Sequence, residues 1–279
     1  MQNTSLNIIK LPLSGVLLVS DMDGTLVTGN FTIPQRNLEA IERFKQKGGT
    51  FAIATGRANT SVEKYNSILN LTTPAILYNG SAIYDLEKHE FILSKYLPES
   101  ARILVKQAIK LFPEIGVEVL GDGRIYVVNS NIWTERHTSN ESVEYDITHA
   151  DSIKVGWNKV LFAGEYSRLH ELCKYTESYI NDGWDFVFSD PKYYEMLPAG
   201  VSKGSSLKIL AEMLKISHNN VMAIGDYFND LTMIKEAAVG AAPAGAPLEI
   251  REQADIVVGR CEDGAVADFI EYIEEKYNC

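Results

Sequence analysis

The chain has 279 residues, enough for one large domain or two modest ones, and its apolar fraction of 46% suits a globular core. Its formal net charge of −11 argues against bulk binding to nucleic acid or to an anionic membrane surface. Three cysteines without metal-ligand spacing predict a reducing, cytoplasmic setting, and the absence of a long apolar run predicts no membrane-spanning segment.

The first predicted strand ends in two carboxylates. The apolar run 15–20 is typical of a buried parallel strand, and Asp21 and Asp23 follow it directly. Ligands of open α/β sheets bind at the carboxyl ends of the strands, and two like charges there favour a cation or a reaction that uses them. Gly24 and Thr25 then allow a sharp turn and offer a hydroxyl and free N–H groups.

Helices and strands alternate after this motif. The predicted elements are a helix between Thr32 and Gly48, a strand at 51–54, a helix at about 61–69 and a strand at 74–78. The second strand ends at Thr55-Gly56-Arg57 and the third at Asn79. This alternation predicts an α/β fold with a doubly wound, Rossmann-like parallel sheet.

The pattern changes between about residues 84 and 192. Shorter strands with turn signals and two long helices predict an inserted α+β domain, in which Gly121-Asp122-Gly123 marks a hairpin. We therefore predict a core made of residues 1–84 and 193–279, and an inserted domain at 85–192.

The parallel pattern is predicted to resume near Tyr194. Lys203 begins a helix, so its ammonium and the free N–H groups of the helix start can face an anion together. The buried strand 221–224 ends at Asp226, with Asn229 and Asp230 close behind it. A strand at 255–258 and a helix at about 266–277 complete the predicted core.

Polar groups from separate segments therefore meet at one edge of the predicted sheet. Asp21, Asp23 and Asp226 would repel one another unless a hard cation neutralised them. Oxygen ligands without His or Cys favour Mg²⁺. A Mg²⁺ site beside Lys203 and hydroxyl donors suits phosphoryl transfer, which depends on positioning and charge neutralisation.

Four ordered motifs, at 21–26, 55–57, 200–204 and 225–230, resemble those of the haloacid dehalogenase superfamily. Their order and spacing are similar to the Cof-type branch, in which a type IIB cap lies between the second and third motifs. The resemblance spans about residues 14–272. It implies a Mg²⁺-dependent phosphomonoester hydrolase with a capped Rossmann-like core, acting on a small phosphorylated metabolite, with sugar phosphates as the expected class.

The resemblance also implies roles for single residues. Asp21 would be the nucleophile that forms an aspartyl-phosphate, and Asp23 the general acid and base. Asp21, Asp226 and the backbone carbonyl of Asp23 would bind Mg²⁺, while Asp230 would orient Lys203 or a metal-bound water. The phosphoryl oxygens would be held by Thr55, Lys203, Asn229 and the backbone of Met22 and Gly56.

Other positions are weaker candidates. Arg57 and Asn79 lie at strand ends and could contact substrate, although Arg57 could instead pair with an acid and Asn79 could be a turn residue. The polar candidates of the inserted domain for leaving-group contacts are Arg124, Tyr126, Trp133, Arg136 and His137. The loop Ala242–Ala246 departs from the family pattern, because it lacks the usual Asn and contains a Pro, so its part in substrate binding is open.

Alternative functions stay open at this point. A phosphomutase on the same fold would hold a bisphosphate intermediate, and a non-catalytic sugar-phosphate-binding regulator would keep the fold without turnover. A hydrolase of disaccharide phosphates would need a wider mouth under the cap. The sequence names neither the substrate nor the oligomeric state, for which we expect a monomer or a weak homo-oligomer.

Overall fold

The structure is a computed structural model that describes residues 11–141, 143–179 and 183–279. The first ten residues of the predicted core segment therefore lie outside the described residues. Among the described residues, no helix combines the length and the apolar character that crossing a bilayer requires.

The elements follow one another in three groups along the chain. The first group is β1 (Leu17–Ser20), α1 (Gln35–Gln46), β2 (Thr50–Ile53), α2 (Asn59–Leu69), β3 (Ala75–Leu77), β4 (Ala82–Asp85) and β5 (Glu90–Ser94). The second is α3 (Ala101–Leu111), β6 (Gly116–Gly121), β7 (Arg124–Asn129), α4 (Ile132–Glu141), β8 (Tyr145–Ile147), β9 (Lys159–Ala163), α5 (Tyr166–Thr176), β10 (Trp184–Asp190) and β11 (Tyr193–Pro198). The third is α6 (Lys203–Met213), β12 (Val221–Ile224), α7 (Leu231–Glu236), β13 (Val239–Pro243), α8 (Leu248–Arg251), β14 (Ile256–Val258) and α9 (Ala265–Lys276).

The core sheet is parallel and has the order β14-β13-β12-β1-β2. Every residue of β1 and of β12 is buried, because helices cover both faces of the sheet. Leu18 belongs to the same buried cluster as Phe44 of α1 and Phe269 of α9. The neighbouring Leu17 points to the opposite face and clusters with Leu207 of α6. The predicted doubly wound α/β core is confirmed.

The third predicted strand joins this sheet only weakly. One parallel bridge, between Ala54 and Ile76, connects β3 to the end of β2. β3 otherwise begins an antiparallel sheet of order β3-β4-β5 beside the core. Its carboxyl end still lies next to that of β2, which is what places Asn79 near the site.

A six-stranded sheet of order β10-β11-β9-β6-β7-β8 forms the inserted α+β domain, which we call the cap. Only the pair β7–β8 is parallel in this sheet. The predicted hairpin is present between β6 and β7, with Asp122 and Gly123 at φ +53° and +77°, the left-handed backbone of a tight two-residue turn. Helices α3 and α5 share a second buried core with the strands of this sheet.

Sheet membership differs from the predicted boundaries at 84/85 and 192/193. β5, predicted to belong to the inserted domain, pairs with β4 beside the core. Tyr193–Pro198, predicted to belong to the returning parallel core, forms β11 and pairs antiparallel with β9 and β10. An apolar run looks the same in a parallel strand and in an inner antiparallel strand, so the pattern alone could not separate these cases.

Candidate active site

The carboxyl ends of the central core strands meet the cap around a cavity of about 340 Å³. The sequence-predicted residues that line it are Asp21, Asp23, Thr55, Gly56, Arg57, Asp226, Asn229 and Asp230. Lys203 is fully buried directly behind Asp21. Met22, which follows Asp21 in the chain, is also buried. The structure thus brings all the core candidates except Asn79 to the cavity or its immediate wall.

Lys203 is the central cation of this wall. Its Nζ lies 2.5 Å from Oδ1 of Asp21 and 2.5 Å from Oδ1 of Asp230. The backbone that carries Lys203 is fixed by a capping box at the start of α6, in which Ser202 and Ser205 each accept the other's backbone N–H. Burial alone would lower the pKa of Lys203, but the charges of Asp21 and Asp230 raise it above its ordinary value. Lys203 is therefore a permanent positive charge at the site.

Asp226 lies close to Asp21 because Gly24 leaves room for its side chain. Carboxylate oxygens of Asp21, Asp226 and Asp230 all lie within 4.8 Å of one another. A Cβ on Gly24 would stand 2.5 Å from Oδ2 of Asp226, so only glycine, here at φ +83°, allows the two loops to come this close. Thr25 donates its hydroxyl to Oδ1 of Asp226 at 3.1 Å.

Asp230 is fully used within the protein. Its Oδ1 accepts from Lys203, and its Oδ2 accepts the backbone N–H groups of Asp226 and Tyr227 at 3.0 and 3.1 Å. These bonds close the turn after β12 and fix the direction of Asp226. Asp230 therefore positions Lys203 and the turn, while Asp21 and Asp226 keep carboxylate oxygens for a ligand.

The acids carry more negative charge than the ammonium can balance. Burial raises the pKa of Asp21 to about 7, and the nearby charge of Asp230 adds to this rise while Lys203 opposes it. Burial and the charge of Asp21 also raise the pKa of Asp226 well above its ordinary value. A hard divalent cation would remove this excess charge, and a donor set of carboxylate oxygens without His or Cys fits Mg²⁺. The residues present thus suit the metal that the sequence predicted.

Arg57 holds the carboxylate of Asp23. Its Nε and Nη2 donate to the two oxygens of Asp23 at 2.8 and 2.7 Å, and its Nη1 donates to Ser61 Oγ at 2.7 Å. The guanidinium also lies 5.4 Å from the centre of the Tyr65 ring. Of the two interpretations left open by the sequence, the geometry thus shows pairing with an acid. This pairing orients the predicted general acid.

Asn79 lies behind the cavity and connects its two sides. It adopts φ +55°, between Tyr78 and Gly80 at +50° and +104°. Its amide nitrogen donates to Glu195 of the cap at 2.7 Å, and its oxygen accepts from Asn229 at 3.0 Å. Asn79 is therefore a turn residue, as one interpretation had it, whose side chain also joins the site.

The cap supplies a wall of mixed charge. Among the five cap candidates, Arg136 and His137 line the cavity in the described structure. The other three are engaged elsewhere: Arg124 pairs with Asp146 at the surface, Tyr126 packs on the cap core, and Trp133 lies against the cations of Arg136 and Lys192.

His137 Nδ1 lies 2.7 Å from the buried Glu118. The charge of Glu118 raises the pKa of His137, although burial opposes this rise.

A family model described as haloacid dehalogenase-like hydrolase matches residues 18–270. The chain belongs to this family. Pyridoxal phosphate phosphatase YbhA of Escherichia coli K12 is 26% identical over 265 residues, which cover 91% of this chain and 97% of that protein. The 5-amino-6-(5-phospho-D-ribitylamino)uracil phosphatase YcsE of Bacillus subtilis 168 is 30% identical over 251 residues, covering 89% and 92%.

A crystal structure shows the same fold. A haloacid dehalogenase-like hydrolase from Bacteroides thetaiotaomicron superposes with a TM-score of 0.82 at 25% identity, over 92% of this chain and 99% of that one. The predicted superfamily and the predicted enzyme class, a phosphatase of the haloacid dehalogenase type, are confirmed at this level.

Several cavity residues of this family member were missed by sequence reasoning. Those of the core are Thr28, Gly29, Phe31 and Tyr227, and those of the cap are Asn140, Glu141, Lys159, Ser189, Asp190, Lys192, Tyr193 and Glu195. Lys159 and Glu195 had a usable signal, because Lys159 begins an otherwise apolar strand and Glu195 lies inside one. The others carry no local signal, since a single residue of this kind on a helix, at a strand end or in a loop is usually only solvated or packed.

The divergent loop Ala242–Ala246 lies outside the cavity lining. Ala242 and Pro243 end β13, and the chain then turns at Ala244–Ala246. No residue of Ala242–Ala246 is among the described residues that line the cavity.

Proposed function

We propose that this protein is a Mg²⁺-dependent phosphomonoester hydrolase that works through an aspartyl-phosphate on Asp21. The observation that carries the proposal is the buried Lys203 ammonium held between Asp21 and Asp230, with Asp226 beside them at the carboxyl ends of parallel strands. Relatives that are named phosphatases over nearly the whole chain support it.

The roles we propose are those that the family resemblance implies, and the contacts described above support them. Asp21, oriented by Lys203, attacks phosphorus as the ester P–O bond breaks, and Asp23 gives a proton to the leaving alcohol oxygen. Asp23 then takes a proton from the water that hydrolyses the acyl phosphate. Thr55, Asn229, Lys203 and the backbone N–H groups of Met22 and Gly56 hold the phosphoryl oxygens. Mg²⁺, bound by Asp21, Asp226 and the Asp23 carbonyl, would neutralise their charge.

The leaving group we infer is small and polar, and sugar phosphates are the first class to test. A cavity of about 340 Å³ is at the small end of ligand pockets, which favours a monosaccharide over a disaccharide. The cap wall offers donors and acceptors of both charges, which suits hydroxyl groups. The three unpaired cysteines support the expectation of a cytoplasmic enzyme.

The test is phosphate release from a panel of sugar, polyol, nucleotide and cofactor phosphates. We expect turnover with Mg²⁺, loss of turnover with EDTA and recovery when Mg²⁺ is restored. Isomerisation of a hexose phosphate without net phosphate release would instead identify a phosphomutase. Binding of these esters without any turnover would identify a regulator.

A further inference from the structure

A buried ion pair of the cap lies against the phosphate-binding side of the core. Lys159 of β9 and Glu195 of β11 are 1% and 3% exposed, and their Nζ and Oε2 atoms lie 2.9 Å apart. We call these two residues the closure pair. Burying two charges costs more than a matching apolar contact, so the pair is weak evidence for a purely stabilising role.

Both members of the closure pair bond to the core. Lys159 Nζ donates to the carbonyl oxygen of Gly56 at 2.8 Å. Glu195 Oε2 accepts from Asn79 at 2.7 Å, and its Oε1 accepts from Ser189 of the cap. The two charges are thus fully satisfied only while the cap rests on the core.

The core groups that the closure pair bonds to lead directly to the proposed phosphate-binding residues. Gly56 is itself one of them, and Asn79 accepts a hydrogen bond from Asn229, which is another. A Cβ on Gly56 would lie 3.2 Å from Oδ1 of Asn79, so these groups converge on one spot. The closure pair therefore contacts Gly56 directly and Asn229 through Asn79.

Asn79 is held in an unusual backbone conformation at this contact. The left-handed turn 78–80 is costly for Tyr78 and Asn79, and such strain persists where surrounding structure holds it. Here Tyr78 Oη accepts the N–H of Gly123 from the tip of the cap hairpin at 3.1 Å. Neighbouring residues of one strained turn thus carry two separate bonds between cap and core.

We propose that the closure pair is a positioning device, through which the cap fixes Gly56 and Asn229 for phosphoryl transfer only when it is closed. With the cap lifted, water replaces the core partners of Lys159 and Glu195, and the phosphate-binding groups lose this support. The inference rests on the proposed function for its catalytic half, whereas the contact between cap and core can be tested without turnover.

The decisive variants are Glu195→Gln and Asn79→Gly, alone and combined. Gln keeps the shape of Glu195 and removes its charge, and Gly keeps the left-handed turn at position 79 while removing the amide. With p-nitrophenyl phosphate as the probe, we expect each to lower kcat by about 10- to 100-fold and to change KM by less than about 3-fold. Because the residues act as a unit, the double variant should be no slower than the slower single one.

The matched control is Lys106→Met, which breaks the exposed ion pair with Asp151 on the outer surface of the cap. It should leave kcat and KM unchanged. Losses of kcat that multiply in the double variant, or a Glu195→Gln enzyme as fast as the control, would overturn the positioning role. If Glu195→Gln does not fold, Asn79→Gly alone carries the same expectation.

A second measurement needs no turnover. Amide hydrogen exchange at Gly123 reports whether the cap hairpin rests on Tyr78. Inorganic phosphate with Mg²⁺ should slow this exchange in the wild type, and exchange in Glu195→Gln and Asn79→Gly should be about 10-fold faster than in the wild type. Unchanged exchange in both variants would overturn the inference even if the wild type hydrolysed every ester. Faster exchange in a protein without turnover would support the contact while refuting the proposed function.

Discussion

The two walls of the cavity are built in different ways. The core wall consists mainly of residues placed at strand ends, since Asp21 follows β1 and Asp226 lies two residues beyond β12, and Lys203 joins them from the start of α6. The cap wall takes its residues from one helix, three strands and a turn, such as His137 on α4 and Lys159 on β9. Strand ends of a parallel sheet meet of necessity, whereas the cap groups meet only through tertiary packing. We expect the core wall to carry the reaction and the α4 residues of the cap wall to serve the choice of leaving group, while Lys159 and Glu195 of the cap wall position core groups as proposed above.

The largest effect that could break this division is loss of the nucleophile. Asp21→Asn should lower phosphate release by at least about 10⁴-fold for every ester, because an amide is a poor nucleophile. Phosphate release over a panel of esters measures this, with retention of fold checked by circular dichroism. Near-normal activity toward any ester would contradict the assignment of Asp21.

The next largest effect concerns Asp23, the predicted general acid, which would protonate the leaving group. Asp23→Asn should slow hydrolysis of alkyl phosphates by about 100-fold or more, because a poor leaving group needs a proton. An activated aryl ester leaves without one and should be slowed only about 10-fold. The measurement is kcat/KM for both ester types, and equal losses would remove Asp23 from the role of general acid.

A smaller effect should isolate the cap wall. Glu141 is 6% exposed, its Oε1 lies 4.0 Å from Arg57 Nε, and its Oε2 has no hydrogen-bond partner among the described residues. We expect this oxygen to accept a hydrogen bond from the leaving group. Glu141→Gln should therefore lower kcat/KM for sugar phosphates about 10-fold and leave an aryl phosphate nearly unchanged.

Glu135→Gln is the matched control, since Glu135 is an exposed residue of the same helix. It should change neither substrate. Equal losses for both substrates in Glu141→Gln would place this residue with the reaction rather than with the choice of leaving group.

The smallest expected effect is on stability and concerns the core wall alone. The pKa of Asp21 is raised to about 7 in the fold, from 3.8. Folding therefore favours the protonated acid, and stability falls as the pH rises from about 4 to 7. In metal-free protein, we expect the Tm of the wild type to fall by about 5 °C more than that of Asp21→Asn across this range. Adding Mg²⁺ should remove the difference, and identical curves without metal would contradict the charge excess.

The acidic motif, the strand ends at 55–57 and 225–230 and the helix that begins at Lys203 could be predicted from the sequence. Each depends on the hydrophobic pattern and turn residues of a short segment. A buried strand followed by Asp21 and Asp23 is visible in the sequence, and parallel strands bring such ends together in any doubly wound sheet. The pairing partner of Arg57 remained open, because a charged side chain does not name its partner.

The cap shows the limit of sequence reasoning most clearly. Glu195 looks like one charge in an apolar strand of the core, yet β11 belongs to the cap sheet and carries this carboxylate to Lys159 and Asn79. Backbone pairing between β9 and β11, and the packing of the cap on the turn at Tyr78, bring together residues up to 116 positions apart. Local propensities determined the strands, helices and catalytic motifs of this protein, because they act within a few residues. The cap wall was decided by tertiary structure, because long-range burial and charge pairing leave no fixed spacing in the chain.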